Sequence, residues 1–263
     1  VFVARTDHGL EVASAVTPAY KATVVALCCG VYLDCRIIVG ECVRNCGPNG
    51  FANAQFLTKS LVDLGFTVRR FKTGTPARVR LQTIDLSKTV EQPGDESTPF
   101  SFMTEKLPET KRSCYLTYST EETKRILLQN KHLAPLYNGS INGVGPRYCP
   151  SIEDKVVRFS DKQRHQIFLE PESSDTCEFY VQGASSSMPA WVQEQIYHSI
   201  EGLENVEIMR DAYAIEYDCI DATQLDATLM AKHVKGLFFA GQINGTSGYD
   251  EAAGQGIVAG INP

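Results

Sequence analysis

Gly236-Leu-Phe-Phe-Ala-Gly-Gln-Ile-Asn-Gly-Thr-Ser-Gly248 is the stretch that decides the fold class. Residues 236–240 form an apolar run that suits a buried strand of a parallel sheet. The glycine-rich turn 241–248 follows, and small residues then predict a helix over about 250–261. Strand, glycine-rich turn and helix together bring backbone N–H groups and a helix N-terminus up to an anionic ligand. A second run of the same kind, Ala22-Thr-Val-Val-Ala-Leu-Cys-Cys29, ends at Gly30. Two such runs about 200 residues apart imply an α/β fold with a long excursion, read as an inserted domain, between two halves of one parallel sheet.

The excursion differs in character. Phe56, Leu57, Leu61 and Leu64 share a helical face, and Gly65 can end that helix. Residues 68–71 predict a short strand with basic neighbours. Residues 83–112 are polar and proline-bearing and read as a long loop. Residues 114–118 alternate like a strand, and Thr120 opens a helix with an imperfect capping-box spacing to Thr123. Residues 155–159, 166–169 and 179–181 are expected to form an antiparallel set. Trp191, Val192, Gln195, Ile196 and Ile200 predict an amphipathic helix opened by Ser187 and Pro189. Residues 206–209 and 214–217 read as short strands.

The 263 residues are 43% hydrophobic and 21% charged, a soluble globular composition. Lys and Arg number 25 against 31 Asp and Glu, a formal charge of −6. That argues against a whole-chain electrostatic grip on nucleic acid and leaves only a local basic face open. No apolar run approaches the roughly 20 residues of a membrane span. The chain opens without Met or a signal-peptide pattern, and both ends read as cuts through a larger protein. Nine cysteines, an odd count, read as reduced thiols of a cytoplasmic protein. Cys28, Cys29, Cys35, Cys42 and Cys46 contain no Cys-x-x-Cys pair, and the five histidines have no ligand spacing, so no metal is implied.

Three further segments carry chemistry. Gly47-Pro-Asn-Gly50 is a turn. Arg70-Phe-Lys-Thr-Gly-Thr-Pro-Ala-Arg78 combines cations, hydroxyls and a glycine, which suits phosphate contact or, equally, a solvated basic turn. In Gly145-Pro-Arg-Tyr-Cys-Pro-Ser-Ile-Glu-Asp-Lys155, Arg147 and Lys155 flank Cys149 and would favour its thiolate. Cys149 is either a catalytic thiol or a buried inert one.

Taken together, Arg70-Phe-Lys-Thr-Gly-Thr-Pro76, Gln92-Pro-Gly-Asp-Glu96, the 145–155 segment, His165-Gln-Ile-Phe-Leu-Glu-Pro-Glu172, Tyr213-Ala-Ile-Glu-Tyr217 and residues 236–249 resemble one family. It is the MnmG/GidA family of flavin-dependent tRNA uridine 5-carboxymethylaminomethyl modification enzymes. The resemblance runs from about Lys21 to Pro263. Cys28-Cys29-Gly30-Val31, Cys46, and Lys124 with Arg125 depart from its usual residues.

The resemblance implies part of an FAD-binding, Rossmann-like domain of a two-dinucleotide flavoprotein, with an inserted α+β NAD(H)-binding domain. The expected division is 1–75 and 211–263 for the flavin domain and 76–210 for the insert. The family's Gly-x-Gly-x-x-Gly unit and helical C-terminal region lie outside this sequence. The implied activity is addition of an aminomethyl-type group at C5 of the tRNA wobble uridine. FAD and NADH are its cofactors, an MnmE-type GTPase its partner, a folate its one-carbon donor and a homodimer its assembly.

The cofactor-binding positions implied are Gly30, Gly47, Gly241, Gln242, Gly245, Thr246 and Glu251. To these the dinucleotide segment adds Gly145, Pro146, Arg147, Tyr148, Cys149, Pro150, Ser151, Ile152, Glu153, Asp154, Lys155, Val156, Val157, Arg158 and Phe159. Cys149 is the implied catalytic residue, because a thiolate adding at C6 would make uridine C5 nucleophilic. The alternatives are a nucleotide- or tRNA-binding module acting through residues 69–80, or an unrelated flavin or nicotinamide reductase.

Overall fold

A computed structural model of the chain describes residues 1–14, 16–94, 99, 101–106, 112–145 and 150–262. The first part runs β1 (Phe2–Thr6), β2 (Gly9–Ala13), β3 (Tyr20–Ala22), β4 (Val25–Leu27), β5 (Arg36–Val39), β6 (Cys42–Arg44), α1 (Gln55–Asp63) and β7 (Val68–Thr75). The middle runs β8 (Arg78–Arg80), β9 (Val90–Gln92), β10 (Cys114–Tyr118), α2 (Glu121–Gln129), α3 (Ile152–Arg158), β11 (Gln166–Pro171), β12 (Glu178–Gln182), α4 (Ala190–His198) and β13 (Ile208–Arg210). The last part is β14 (Tyr213–Ile220), β15 (Leu237–Phe239) and α5 (Tyr249–Ile261).

Four sheets result. β15 and β4 pair in parallel, Leu237 opposite Val25 and Phe239 opposite Leu27. The two apolar runs therefore meet as expected, but the strand in residues 22–29 shortens to three residues, because Ala22 already belongs to β3 in the β1-β2-β3 sheet. A four-stranded antiparallel sheet has the order β6-β5-β14-β7, and a six-stranded antiparallel sheet the order β13-β8-β12-β11-β10-β9.

One core joins Val3, Leu10, Leu27, Leu57, Leu61, Phe66, Leu237 and Phe239. Another lies wholly within residues 77–212 and joins the six-stranded sheet to Tyr197 and Ile200. A third packs α2, α3 and α4 together through Ile126, Leu127, Ile152, Val156, Val192 and Ile196. β7 and β14 run side by side for eight residues, from Tyr213 opposite Thr75 to Ile220 opposite Val68. They lead into and out of the middle part of the chain.

Several expectations are corrected. Residues 155–159 are not a strand, since α3 covers Ile152–Arg158. The governing period is helical: Ile152 and Val156, four apart, are both buried, while the adjacent Val156-Val157 pair imitates a strand. Glu153 and Asp154 in the first turn and Lys155 and Arg158 in the last complement the helix dipole.

The basic stretch from Arg70 to Arg78 runs through most of β7 and into the start of β8, and its arginines, like neighbouring Arg69, are paired. Arg69 meets Asp221, Arg70 meets Asp218 and Arg78 meets Glu172. In α4 the predicted Trp191 is exposed; the buried residues are Val192, Gln193, Ile196 and Tyr197. Gln193 is buried because its amide is saturated. Its Nε2 donates to Met188 O and Ala212 O, each at 2.8 Å, and its Oε1 accepts from Ala212 N–H at 2.7 Å. Residues 83–112 are not wholly loop, since β9 pairs with β10. The Thr120–Thr123 capping box is complete, with both reciprocal bonds formed.

Candidate functional site

A cleft of about 680 Å³ lies where these parts meet. Its first wall is made largely of backbone. β15 leads into a 3-10 turn, Gly241–Asn244, and then into α5, whose N-cap Gly248 makes no side-chain capping bond and has the Glu251 carboxylate folded against it. Gly241 and Gly245 both have φ of +83°, a region L side chains avoid. A Cβ at Gly245 would also stand 2.8 Å from the Phe71 ring.

Gln255, nearly two turns into α5, clasps this turn. Its Oε1 accepts from Gly241 N–H at 2.9 Å and Asn244 Nδ2 at 3.0 Å, and lies 3.1 Å from the Thr246 hydroxyl. The Thr246 hydroxyl donates to Gly241 O at 2.9 Å. Gln242, Ser247, Gly248, Tyr249, Glu251 and Ala252 face the cleft from this side.

The second wall is made of side chains. Lys155 of α3 reaches over to donate to Gly183 O at 2.9 Å. Arg78 bonds Glu172 at 2.6 Å and Pro76 O at 3.0 Å, and its guanidinium lies 4.6 Å from the Tyr180 ring centroid. Pro150, Gln182 and Ser185 complete that side. The floor is Thr73, Gly74 and Thr75 of β7 with Tyr213 and Ile215 of β14. Burial pushes the Tyr213 phenol above its usual value.

The approach to the segment beginning at Gly145 is pinned to this floor. Glu216, fully buried on β14, accepts from Asn142 N–H at 2.6 Å, Gly143 N–H at 2.5 Å and Arg36 Nε at 2.6 Å. Lys72 N–H donates to Val144 O at 3.0 Å, and Val144 N–H to Arg70 O at 3.1 Å. A Cβ at Gly143 would stand 2.7 Å from the Phe71 backbone, so only glycine fits.

Pro150, Lys155, Gln242 and Glu251 of the implied positions meet at the cleft. Gly241, Gly245 and Thr246 build the turn behind it. Gly30, at φ +56°, and Gly47 stand next to the lining residues Val31 and Pro48. Gly145 is exposed, and Pro146, Arg147, Tyr148 and Cys149 lie outside the described residues.

The rest of the segment serves the fold. Ser151 is the N-cap residue of α3, and Ile152 and Val156 pack against α2 and α4. Val157 is half-buried, and Phe159 is exposed. Arg158 pairs with Asp154 at 2.8 Å. Glu153 is buried, and desolvation raises its carboxyl above the ordinary range despite the nearby Lys72. Its Oε2 and the Ser151 and Ser187 hydroxyls have no partner among the described residues.

Sequence reasoning missed Tyr180, Gln182, Ser185, Tyr213 and Ile215. They come from strands far apart in the chain, and only strand order brings them together. Among the described residues no three His, Cys, Asp or Glu side chains are placed to hold a metal, and no helix is long and apolar enough to cross a membrane.

The sequence model of the family described as "Glucose inhibited division protein A" matches residues 4–263. The chain is 59% identical over 246 residues to the tRNA uridine 5-carboxymethylaminomethyl modification enzyme MnmG of Clostridium botulinum (strain Loch Maree / Type A3), covering 93% of this chain and 39% of that protein. It is 62% identical over 244 residues to the enzyme of the same name from Caldicellulosiruptor saccharolyticus, covering 92% and 39%. It therefore spans about two-fifths of the length of these curated relatives. A crystal structure of Aquifex aeolicus GidA superposes over 100% of this chain and 45% of that one, with a TM-score of 0.91 at 46% identity. Matched by its model almost from end to end, the chain belongs to the glucose inhibited division protein A family.

Proposed function

We propose that this chain supplies the cofactor cleft of a flavin-dependent enzyme. With an MnmE-type GTPase, that enzyme would install the (carboxymethyl)aminomethyl group at C5 of the wobble uridine of tRNA. One observation carries the reading: the glycine-rich turn before α5 and the start of α3 face each other across one cleft. They do so in a family whose relatives are named for that modification.

The residues present fit an anionic dinucleotide such as FAD. The α5 N-terminus faces the cleft with an N-cap residue that makes no side-chain hydrogen bond, and two glycines hold left-handed backbone in the turn before it, where a Cβ at Gly245 would meet the Phe71 ring. When bound, the flavin supplies electron transfer and carriage of the one-carbon unit. Gln242 and the N–H groups after Gly248 would hold it, and Glu251 packs against Gly248 at the helix start. Tyr213 and Ile215 would close the floor against water. Across the cleft, Lys155 would supply positive charge toward NADH phosphates, while Arg78 is already paired with Glu172.

The reading assigns residues 76–210 to an NAD(H)-binding insert and 1–75 with 211–263 to the flavin domain. The separate core within 77–212 and the adjacent strands β7 and β14 support that division. A folate one-carbon donor, a cytoplasmic location and a homodimer belong to the same reading. Cys149 is the proposed nucleophile, by its place in the motif.

The test is single-turnover modification of a substrate tRNA by the complete enzyme, normalised to flavin content. Cys149→Ser is expected to abolish modification while flavin content and fold persist. Near-normal turnover by that variant rejects the assignment.

A further inference from the structure

We propose that Cys35 and Cys46 form a reversible disulfide at the open end of the β5–β6 hairpin, a modification site that pins the Gly47–Pro48 edge of the cleft. The register comes first. β5 and β6 place Ile37 opposite Arg44, Ile38 opposite Val43 and Val39 opposite Cys42. That register leaves Cys35 and Cys46 at the open end of the hairpin, one just before β5 and the other just after β6.

The chain turns out of the strand after Arg44, with Cys46 N–H donating to Arg44 O at 2.9 Å. The two cysteines stay together through the turn: the Cys35 thiol donates to Cys46 O at 3.4 Å.

Access separates the two thiols. Cys46 is half-buried, and Cys35 is 1% exposed. Burial pushes the Cys35 thiol up to about 11, so it reacts slowly with anything in solution. Next to a mixed disulfide on Cys46, proximity replaces that missing reactivity.

The other cysteines are less well placed. Cys42 lies at the closed end of the hairpin, four residues or roughly 13 Å along the strand from Cys46. Cys29 is near enough to Cys35 for the two to interact electrostatically, but it is reached less readily than half-buried Cys46, since burial pushes its thiol up to about 12.

The chemistry balances with an oxidised low-molecular-weight disulfide such as glutathione disulfide. The Cys46 thiolate attacks one of its sulfurs, their S–S bond breaks, and the first glutathione thiolate leaves with the electron pair and takes up a proton. Cys35 then gives its proton to solvent and attacks Cys46 Sγ, and the second glutathione leaves. Two protein thiols are oxidised, and one glutathione disulfide is reduced to two thiols.

The bond acts on the cleft because its neighbours are already tied down. Gly47 N–H donates to Phe51 O at 2.7 Å, Asn53 Nδ2 donates to Cys35 O at 2.9 Å, and Pro48 lines the cleft.

The test treats the native intact protein with glutathione disulfide. It is then quenched in acid, unfolded, capped with N-ethylmaleimide and mapped by peptide mass. The expected result is one joined pair of peptides bearing Cys35 and Cys46, both thiols lost to the cap together and both recovered by dithiothreitol. C35S should stop at the Cys46–glutathione adduct. The map of the unaltered protein decides by itself, whether or not that variant folds. Three results overturn the proposal. One is a lasting Cys46–glutathione adduct with Cys35 still capped, another is Cys35 joined to Cys29, and the third is no change at either thiol once exposed Cys28 and Cys42 are modified.

Discussion

The two walls of the cleft reach their shape by opposite means. Around the 241–248 turn the working groups are backbone amides, the geometry is set by two left-handed glycines, and one side chain, Gln255, holds the loop to its helix. Of α5 itself only Ala259 is buried among the described residues. Across the cleft the working groups are side chains on α3, β8 and β12, backed by a core contained within residues 77–212. A wall of backbone depends on conformation. A wall of side chains depends on the partners of its buried polar groups.

The sharpest way to break the contrast is Glu216→Ala. It leaves Arg36 and two loop amides without their acceptor, and a variant that removes one partner of a buried pair loses about 3–5 kcal/mol. The low end is expected, because the Arg36 side chain is 29% exposed and can rehydrate. Denaturant unfolding measures it. A loss below about 1 kcal/mol would mean that backbone pairing at Val144 alone holds the approach to the segment beginning at Gly145.

Gln255→Ala probes the opposite wall. Alanine suits a helix, so α5 persists, but Gly241 N–H and the Asn244 amide lose their shared acceptor. A loss of roughly 1–2 kcal/mol is expected, with faster amide exchange confined to residues 241–246. Exchange that also quickens in β12 would mean the two walls are not independent.

The smallest effect is one of pH. Burial raises the Glu153 carboxyl, so the native state keeps a proton that the unfolded chain releases near pH 4.3. The protonated form's contribution is complete below that unfolded value. It is lost as pH rises through the higher native value. Glu153→Gln should flatten that decline on the alkaline side of pH 4.3, as read from unfolding midpoints at stepped pH. An unchanged slope would remove Glu153 as its source.

The contrast also explains what was legible in the sequence. The backbone wall was readable because glycine spacing after an apolar run is a local signal. Residues 236–261 gave strand, turn and helix in order, and the parallel partner at residues 25–27 was found from its apolar character. The side-chain wall was not readable in the same way. Tyr180 and Gln182 carry no mark of their own, Tyr213 and Ile215 stand in a family-like segment with no sign of a site role, and all four converge only through the order β13-β8-β12-β11 and the pairing of β14 with β7. α3 was misread because the Val156-Val157 pair outweighed the Ile152–Val156 spacing. Arg70 and Arg78 looked available until their carboxylate partners, up to about 150 residues away, were in view.

The eight-residue β7–β14 ladder bears on how such a protein could change in size. Thr75 and Tyr213 are opposite each other, so everything between them leaves the sheet and returns to it at neighbouring points. Lengthening a closed loop costs little entropy, about 0.6 kcal/mol per doubling. The middle of the chain can therefore be enlarged, trimmed or exchanged with little penalty to the strands that carry it. The restraint on such change sits elsewhere, in the few residues at the foot of the ladder, Thr73 to Pro76 and Tyr213 to Ile215, which also form the floor of the cleft.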